Sequence, residues 1–295
     1  MRFFSLVLLA SSIGVGCAAP DVKSRCNWPG WTLIDSNPDT DHVALDGDKI
    51  YQYRRNTGQI LRYNDGNATW TLLDEDKAND SIDAGGGCLA KITNKGEISA
   101  FPGPNNTWRK MTGPAAAGNH PYFIANADGL YVIQKEGSIW FWNGFDYILK
   151  DFWKSNCGFF GRLIVRDDDG TAWRYVGPGV KWEQIDSSGQ VFGIAADPVT
   201  ETNIIQKRPD RNVYLYGGAP NKWTLIDDKK NTRDAQIGPS GTYVVKDDAG
   251  IWQYTGTPLT GWKQIDGNPN TSRIFAGGRY LIQLHEDGKL WIYKP

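Results

Sequence analysis

From Trp31 to Tyr293 the chain is a succession of short apolar runs, each bounded by Gly, Asp, Asn or Pro and rich in Val, Ile, Tyr and Trp. Runs of this length and composition predict β-strands. No window carries the longer 3.6-residue apolar period with caps that a helix requires. Near the start, strands are predicted at His42–Leu45, Ile50–Tyr53 and Gln59–Tyr63. Further on they are predicted at Tyr122–Ala125, Leu130–Gln134 and Ser138–Trp142, and then at Ala235–Ile237, Thr242–Lys246 and Ile251–Tyr254.

The runs repeat. Trp262 to Tyr293 laid on Trp31 to Tyr63 matches Trp31, Ile34, Asp35, Asn37, Pro38 and Thr40 at one offset, and Gly58, Ile60 and Tyr63 after a one-residue shift. The opening aromatic recurs at Trp31, Trp70, Trp108, Tyr147, Trp182, Trp223 and Trp262, at intervals of 39, 38, 39, 35, 41 and 39 residues. A Trp-x-x-Ile/Leu-Asp motif follows most copies; Tyr147 opens a degraded version, and the copy at Trp108 lacks the aspartate. Four strands per repeat of about 40 residues is the signature of a β-propeller blade. The final copy ends after its third strand, while Trp31–Asp35 begins the fold as an unattached opening strand. The expected architecture is therefore an all-β, seven-bladed β-propeller with four-stranded blades. Its ring is closed by Trp31–Asp35 on the outer edge of the last blade. The domain spans residues 31–295, behind a signal peptide at 1–18 and an N-terminal tail at 19–30. Met111 to Cys157 is the least regular stretch and reads as drift within the repeat.

Composition narrows the partners. With 32 basic and 33 acidic residues, the chain lacks the basic excess expected of a nucleic-acid or anionic-membrane binder. Arg2, the apolar run Phe3–Val15 and the small residues Gly16 and Ala18 have the order of a secretory signal. The reading is a secreted, extracellular monomer. If Cys17 leaves with the signal, Cys26, Cys88 and Cys157 remain, which permits one internal disulfide and one further thiol, with the pairing open. Sequons at Asn67, Asn79, Asn105 and Asn270, beside predicted turns or strand ends, suggest a glycoprotein.

The repeat aspartates Asp35, Asp74, Asp151, Asp186, Asp227 and Asp266 precede turns, where a carboxylate can accept backbone N–H bonds. A structural role is expected, since an active site is not normally copied six times. Strand alternation sets Trp140, Trp173, Tyr214, Trp252 and Trp291 on one blade face. Most such aromatics are core, and those near a rim can stack on sugar rings.

Trp-x-x-Ile-Asp, Asn-Pro-x-Thr, Leu281–His285 and Gly-x-Leu-Trp-x-Tyr together resemble the repeats of tectonin-type propeller lectins, from Trp31 to Tyr293. The resemblance implies sugar binding in pockets repeated on or between blades, with fucose or O-methylated sugars among the ligands of related lectins. The candidate carbohydrate contacts are Trp291, His285, Gln283 and Trp252, with Trp140, Trp173 and Tyr214 at equivalent places. No cofactor or metal is expected, and no catalytic residue is assigned. His42, His120 and His285 stand alone. Asp168–Trp173 is similar to a sialidase aspartate box without its serine, a turn-forming element, and no sequence pattern converges Arg162, Arg166, Arg174, Arg208, Arg211 and Arg233. A protein-interaction scaffold or effector is the second reading and a sialidase-like glycoside hydrolase the third.

Overall fold

The computed structural model describes residues 29–102, 106–111, 122–126, 129–133, 138–142, 147–152, 157–160, 163–166, 169–176, 182–197 and 203–294. The signal segment, most of the tail, Cys17, Cys26, Asn105, His120 and Asp168 lie outside them. The strand predictions hold to within a few residues: Thr40–Asp46, Lys49–Arg54 and Ile60–Asn64 in the first copy, and Thr232–Gly238, Gly241–Lys246 and Ile251–Tyr254 in the sixth. Among the described residues the strands form seven four-stranded antiparallel sheets, each ending on the opening strand of the next copy. Trp31–Asp35 pairs with Leu290–Tyr293, Trp31 opposite Tyr293 and Leu33 opposite Trp291, so the two ends of the fold share a sheet. The first strands of neighbouring sheets touch, as Thr40–Asp46 does with both Asn79–Gly85 and Thr271–Gly277. This is an all-β fold of the β-propeller kind.

The core is divided among the junctions between sheets. Val43, Leu45 and Ile50 pack on Tyr280, Ile282, Leu290 and Ile292 where the last sheet meets the first, and Val244, Ile237 and Ile226 pack on Ile205 and Val213 further round. Each such aliphatic side chain removed from water contributes about 1.5–3 kcal/mol.

The Trp-x-x-Ile-Asp motif is built for these junctions. The outer strand slips register just before its aspartate, for example between Leu33 and Asp35 and between Ile251 and Trp252 on the paired strand. The residue skipped by this bulge leaves its carbonyl outside the ladder. The opening tryptophan of the next copy then donates its indole N–H to that carbonyl: Trp70 to Ile34 (2.9 Å), Trp108 to Leu73 (3.1 Å), Trp223 to Ile185 (3.2 Å), Trp262 to Ile226 (2.8 Å) and Trp31 to Ile265 (3.0 Å). A buried carbonyl left unpaired would cost about 1–3 kcal/mol, so at these five junctions one indole removes that penalty.

The aspartate completes the junction. Asp35 accepts from Gln52 Nε2 (2.6 Å) and Arg54 Nη2 (2.9 Å) of the adjoining sheet, and Asp186 accepts from Gln206 Nε2 (2.9 Å). Asp74 is bonded to Lys91 and to Asn79 Nδ2 (2.8 Å). Asp227 is bonded to Lys246 and to Thr232 Oγ1 (2.5 Å). Asp266 accepts from Gln283 Nε2 (2.6 Å), with no cation beside it, and burial holds its carboxyl above the usual aspartate range. The aspartates also receive turn N–H groups, as Asp35 does from Asn37 (3.1 Å). The structural role of these five is therefore larger than turn fixing: each ties its sheet to the next.

Two readings change here. Asn79 is 4 % exposed and donates its amide to Gly58 O (2.8 Å) and Asp74, so this sequon is a junction residue with no room for a glycan. Asn67 and Asn270 are exposed. Cys88 is a free thiol, so it is not half of the anticipated disulfide. Burial pushes its thiol up to about 11. Because the thiolate is the nucleophile, Cys88 in the native protein should react with iodoacetamide at pH 8 about a hundredfold more slowly than an unperturbed cysteine. Peptide mapping before and after denaturation reads this directly, and equal labelling in both states would contradict it.

Asp83 crosses another junction. One carboxylate oxygen accepts the Ala125 N–H of the next sheet (2.8 Å) and the other the Ala84 N–H (2.9 Å). Burial outweighs these bonds and pushes the carboxyl up to about 7. An acid whose pKa rises on folding stabilises in its protonated form: the contribution is full below about pH 4 and is lost as pH climbs through 7. Asp83→Asn, which keeps a carbonyl acceptor, should show a smaller fall in Tm between pH 5 and 8 than the wild type. Parallel Tm profiles would refute the assignment.

Candidate functional site

In five successive sheets the third strand carries an aromatic at one register position: Trp140, Trp173, Tyr214, Trp252 and Trp291. Each lies immediately beside the bulge, opposite Leu149, Gln184, Leu225, Gln264 and Leu33 respectively. All five are half-buried, because the slip in register turns this part of the outer strand pair toward solvent. Leu61 and Leu72 occupy the equivalent pair in the first sheet, and Leu72 is 46 % exposed. The alternation expected from sequence holds, with the flanking Leu290 and Ile292 fully inside.

The five aromatics differ in what surrounds them. The indole N–H of Trp140 donates to Ser138 Oγ (3.0 Å) and that of Trp173 to Thr171 Oγ1 (2.9 Å), in each case two residues back. Thr171 is itself held by Asp169 Oδ1 through its N–H and hydroxyl, so the box-like segment works as a turn that orients a tryptophan. Tyr214 is covered by the Arg208 guanidinium, 4.1 Å from the ring centroid. Trp291 stacks on His285, with centroids 5.8 Å apart. Two residues before Trp252 stands Gly250, and before Trp291 stands Lys289, so neither position offers a hydroxyl. Both indole N–H groups are turned inward and buried without a partner, while part of each ring stays accessible.

Gln283 and His285 do not belong with the exposed ledge. Gln283 is 2 % exposed, and its amide bridges Asp266 and Thr271 Oγ1 (2.7 Å). His285 is 5 % exposed, its Nε2 lies 3.4 Å from Asn268 Nδ2, and burial lowers its pKa, which keeps the ring neutral. Both are candidates through the lectin-like strand Leu281–His285; in the fold Gln283 is spent on the junction and His285 lies under Trp291. A cavity of about 430 Å³ is lined by none of the residues singled out from sequence. Its residues Arg279, Tyr280 and Lys294 occur in one copy only, so a search for repeated positions passes over them.

No protein-family model and no curated protein matches the chain. Solved structures do. YCF48 from Cyanidioschyzon merolae is similar with a TM-score of 0.64 at 11 % identity, over 90 % of this chain and 99 % of that one. YCF48 bound to D1 peptide gives a TM-score of 0.65 at 13 % identity, over 92 % and 99 %. A virginiamycin B lyase from Staphylococcus aureus gives 0.58 at 12 % identity, over 89 % and 97 %. At such identities the likeness supports the β-propeller fold alone.

Proposed function

We propose that the chain is a secreted glycan-binding β-propeller whose seven four-stranded blades close into a ring through Trp31–Asp35. Sugars would be held weakly on the half-exposed aromatics Trp252, Trp291, Trp173, Trp140 and Tyr214. One observation carries the reading: Trp140, Trp173, Tyr214, Trp252 and Trp291 stand half-buried at one register position of five successive sheets, each keeping part of its ring accessible. A saccharide offers an apolar ring face that can stack on the accessible part of such a side chain. Repetition of the position around a rigid ring would raise the apparent affinity of weak sites for multivalent glycans by avidity. The test is a glycan array probed with the secreted protein from residue 19 onward. Binding to one sugar class is expected, with Trp252→Ala weakening it by about tenfold, the order of a lost stacking contact. A silent array from a protein folded by circular dichroism would overturn the proposal.

A peptide- or protein-binding scaffold is the second reading. Phe192 is 68 % exposed beside a 150 Å³ cleft formed by Ile194, Lys207, Asp234 and Gln236, and one similar propeller is known bound to a peptide. Loss of a captured partner in Phe192→Ser, with the array silent, would favour it.

A further inference from the structure

The cavity of about 430 Å³ lies where turns of three sheets converge: Pro239–Ser240 of the sixth, Gly278–Arg279 of the last, and Asp65 of the first. Tyr280 forms its floor, 1 % exposed, with its hydroxyl donating to Asp65 Oδ2 (3.0 Å) and accepting from Arg279 Nε (2.9 Å). Lys294 Nζ donates to Asp65 Oδ1 (2.7 Å). The two cations flank the Tyr280 ring, Arg279 at 5.0 Å and Lys294 at 5.6 Å from its centroid.

The hydrogen-bonding capacity of this cavity is unbalanced. Both oxygens of Asp65 are engaged, by Tyr280 and Lys294. The Ser240 carbonyl already accepts from Tyr243 Oη (2.9 Å) and Gln253 Nε2 (3.5 Å). On the donor side much is spare. Among the described residues the terminal nitrogens of Arg279 make no hydrogen bond, Nη2 approaching Asp65 only to 3.7 Å, while Nε lies 3.4 Å from Asp48 Oδ2. An ammonium carries three donors, and Lys294 uses one. Both cations stay charged at neutral pH: the Lys294 hydrogen bond lowers the Asp65 carboxyl, and the same bond raises Lys294. Lining charges are two positive and one negative, a surplus of one positive charge before the outlying Asp48.

Arg279 and Lys294, with side chains 65 % and 52 % exposed, present spare donors that an oxyanion can take in place of water, and the volume exceeds what a bare ion fills. We propose that this cavity binds an acidic saccharide, its anionic group held by Arg279 and Lys294. This rests on the carbohydrate reading but places a site apart from the Trp252 ledge. The anionic group is a carboxylate, as in a uronic acid, or a sulfate ester; both present planar or tetrahedral oxygens to the same donors.

Calorimetric titration of the secreted protein with glucuronate, glucose 6-sulfate, glucose and inorganic sulfate tests this. Binding of either acidic sugar, with glucose and sulfate at least tenfold weaker, supports the site, and the tighter of the two names the group. Arg279→Gln and Lys294→Gln should each weaken that ligand by about tenfold. Added salt should weaken binding in the wild type. Failure of both acidic sugars, or equal affinity in the Arg279→Gln/Lys294→Gln double variant folded by circular dichroism, would overturn the inference. Sulfate binding as tightly as the sugar sulfate would also sink it. In each case array binding that depends on Trp252 would leave the broader glycan reading standing, whereas a silent array would remove that as well.

Discussion

Lys246→Ala is expected to lower the stability of the fold by about 3–5 kcal/mol, the cost of stranding one member of a buried ion pair. Lys246 and Asp227 have side chains only 8 % and 3 % exposed, and Lys246 also donates to Thr232 Oγ1 (3.0 Å). Removing the ammonium leaves the Asp227 carboxylate inside a junction between sheets with the Thr232 hydroxyl and the Lys229 N–H (3.5 Å) as its remaining donors. Urea denaturation followed by tryptophan fluorescence measures the loss. Lys289→Ala is the control, because its pair with Asp287 at 2.5 Å is 42 % and 47 % exposed, where such pairs contribute about 0–1 kcal/mol. Similar losses for the two variants would mean that the aspartate junctions do not hold the sheets together.

Gly288→Ala should cost about 2–5 kcal/mol. Gly288 turns with φ +79°, and a Cβ there would stand 2.3 Å from the Pro38 carbonyl oxygen and 2.4 Å from its carbon. Pro38 belongs to the turn that follows Trp31–Asp35, so this contact lies where the two ends of the fold meet. A left-handed conformation costs an alanine about 1–2 kcal/mol, and pressing a methyl group against backbone adds about 1–3 kcal/mol. Gly47 separates the two effects: its φ is +55° and nothing lies within 4 Å of its would-be Cβ. Gly47→Ala should therefore show only the conformational share. A Gly288→Ala variant no less stable than Gly47→Ala would show that the ends are not packed this closely.

The fit of Gly288 against Pro38 explains why some of the fold was legible in the sequence. Glycine where φ is positive, tryptophan at the bulge and aspartate before the turn are each demanded by backbone geometry that recurs with every copy. Repetition amplifies such demands until they stand out. What a repeated residue touches is a different matter, because its partner lies on another copy. Asp266 reads as a turn residue, and Gln283 as a sugar contact, until the two are found 2.6 Å apart across a junction. Asn79 reads as a sequon by its two neighbours in sequence, while its amide is consumed by Gly58 and Asp74.

The sequence by itself determined the repeat, the strands and the pairing of Trp31–Asp35 with the last copy, because these follow from local apolar alternation and from turn chemistry within some 40 residues. Only the tertiary structure decided which aromatics stay at the surface, which aspartates meet a cation and which donors converge on the cavity at Tyr280. Exposure and charge pairing depend on distances between sheets, and Asp65 and Lys294, 229 positions apart, become neighbours only once the two ends of the chain are packed side by side.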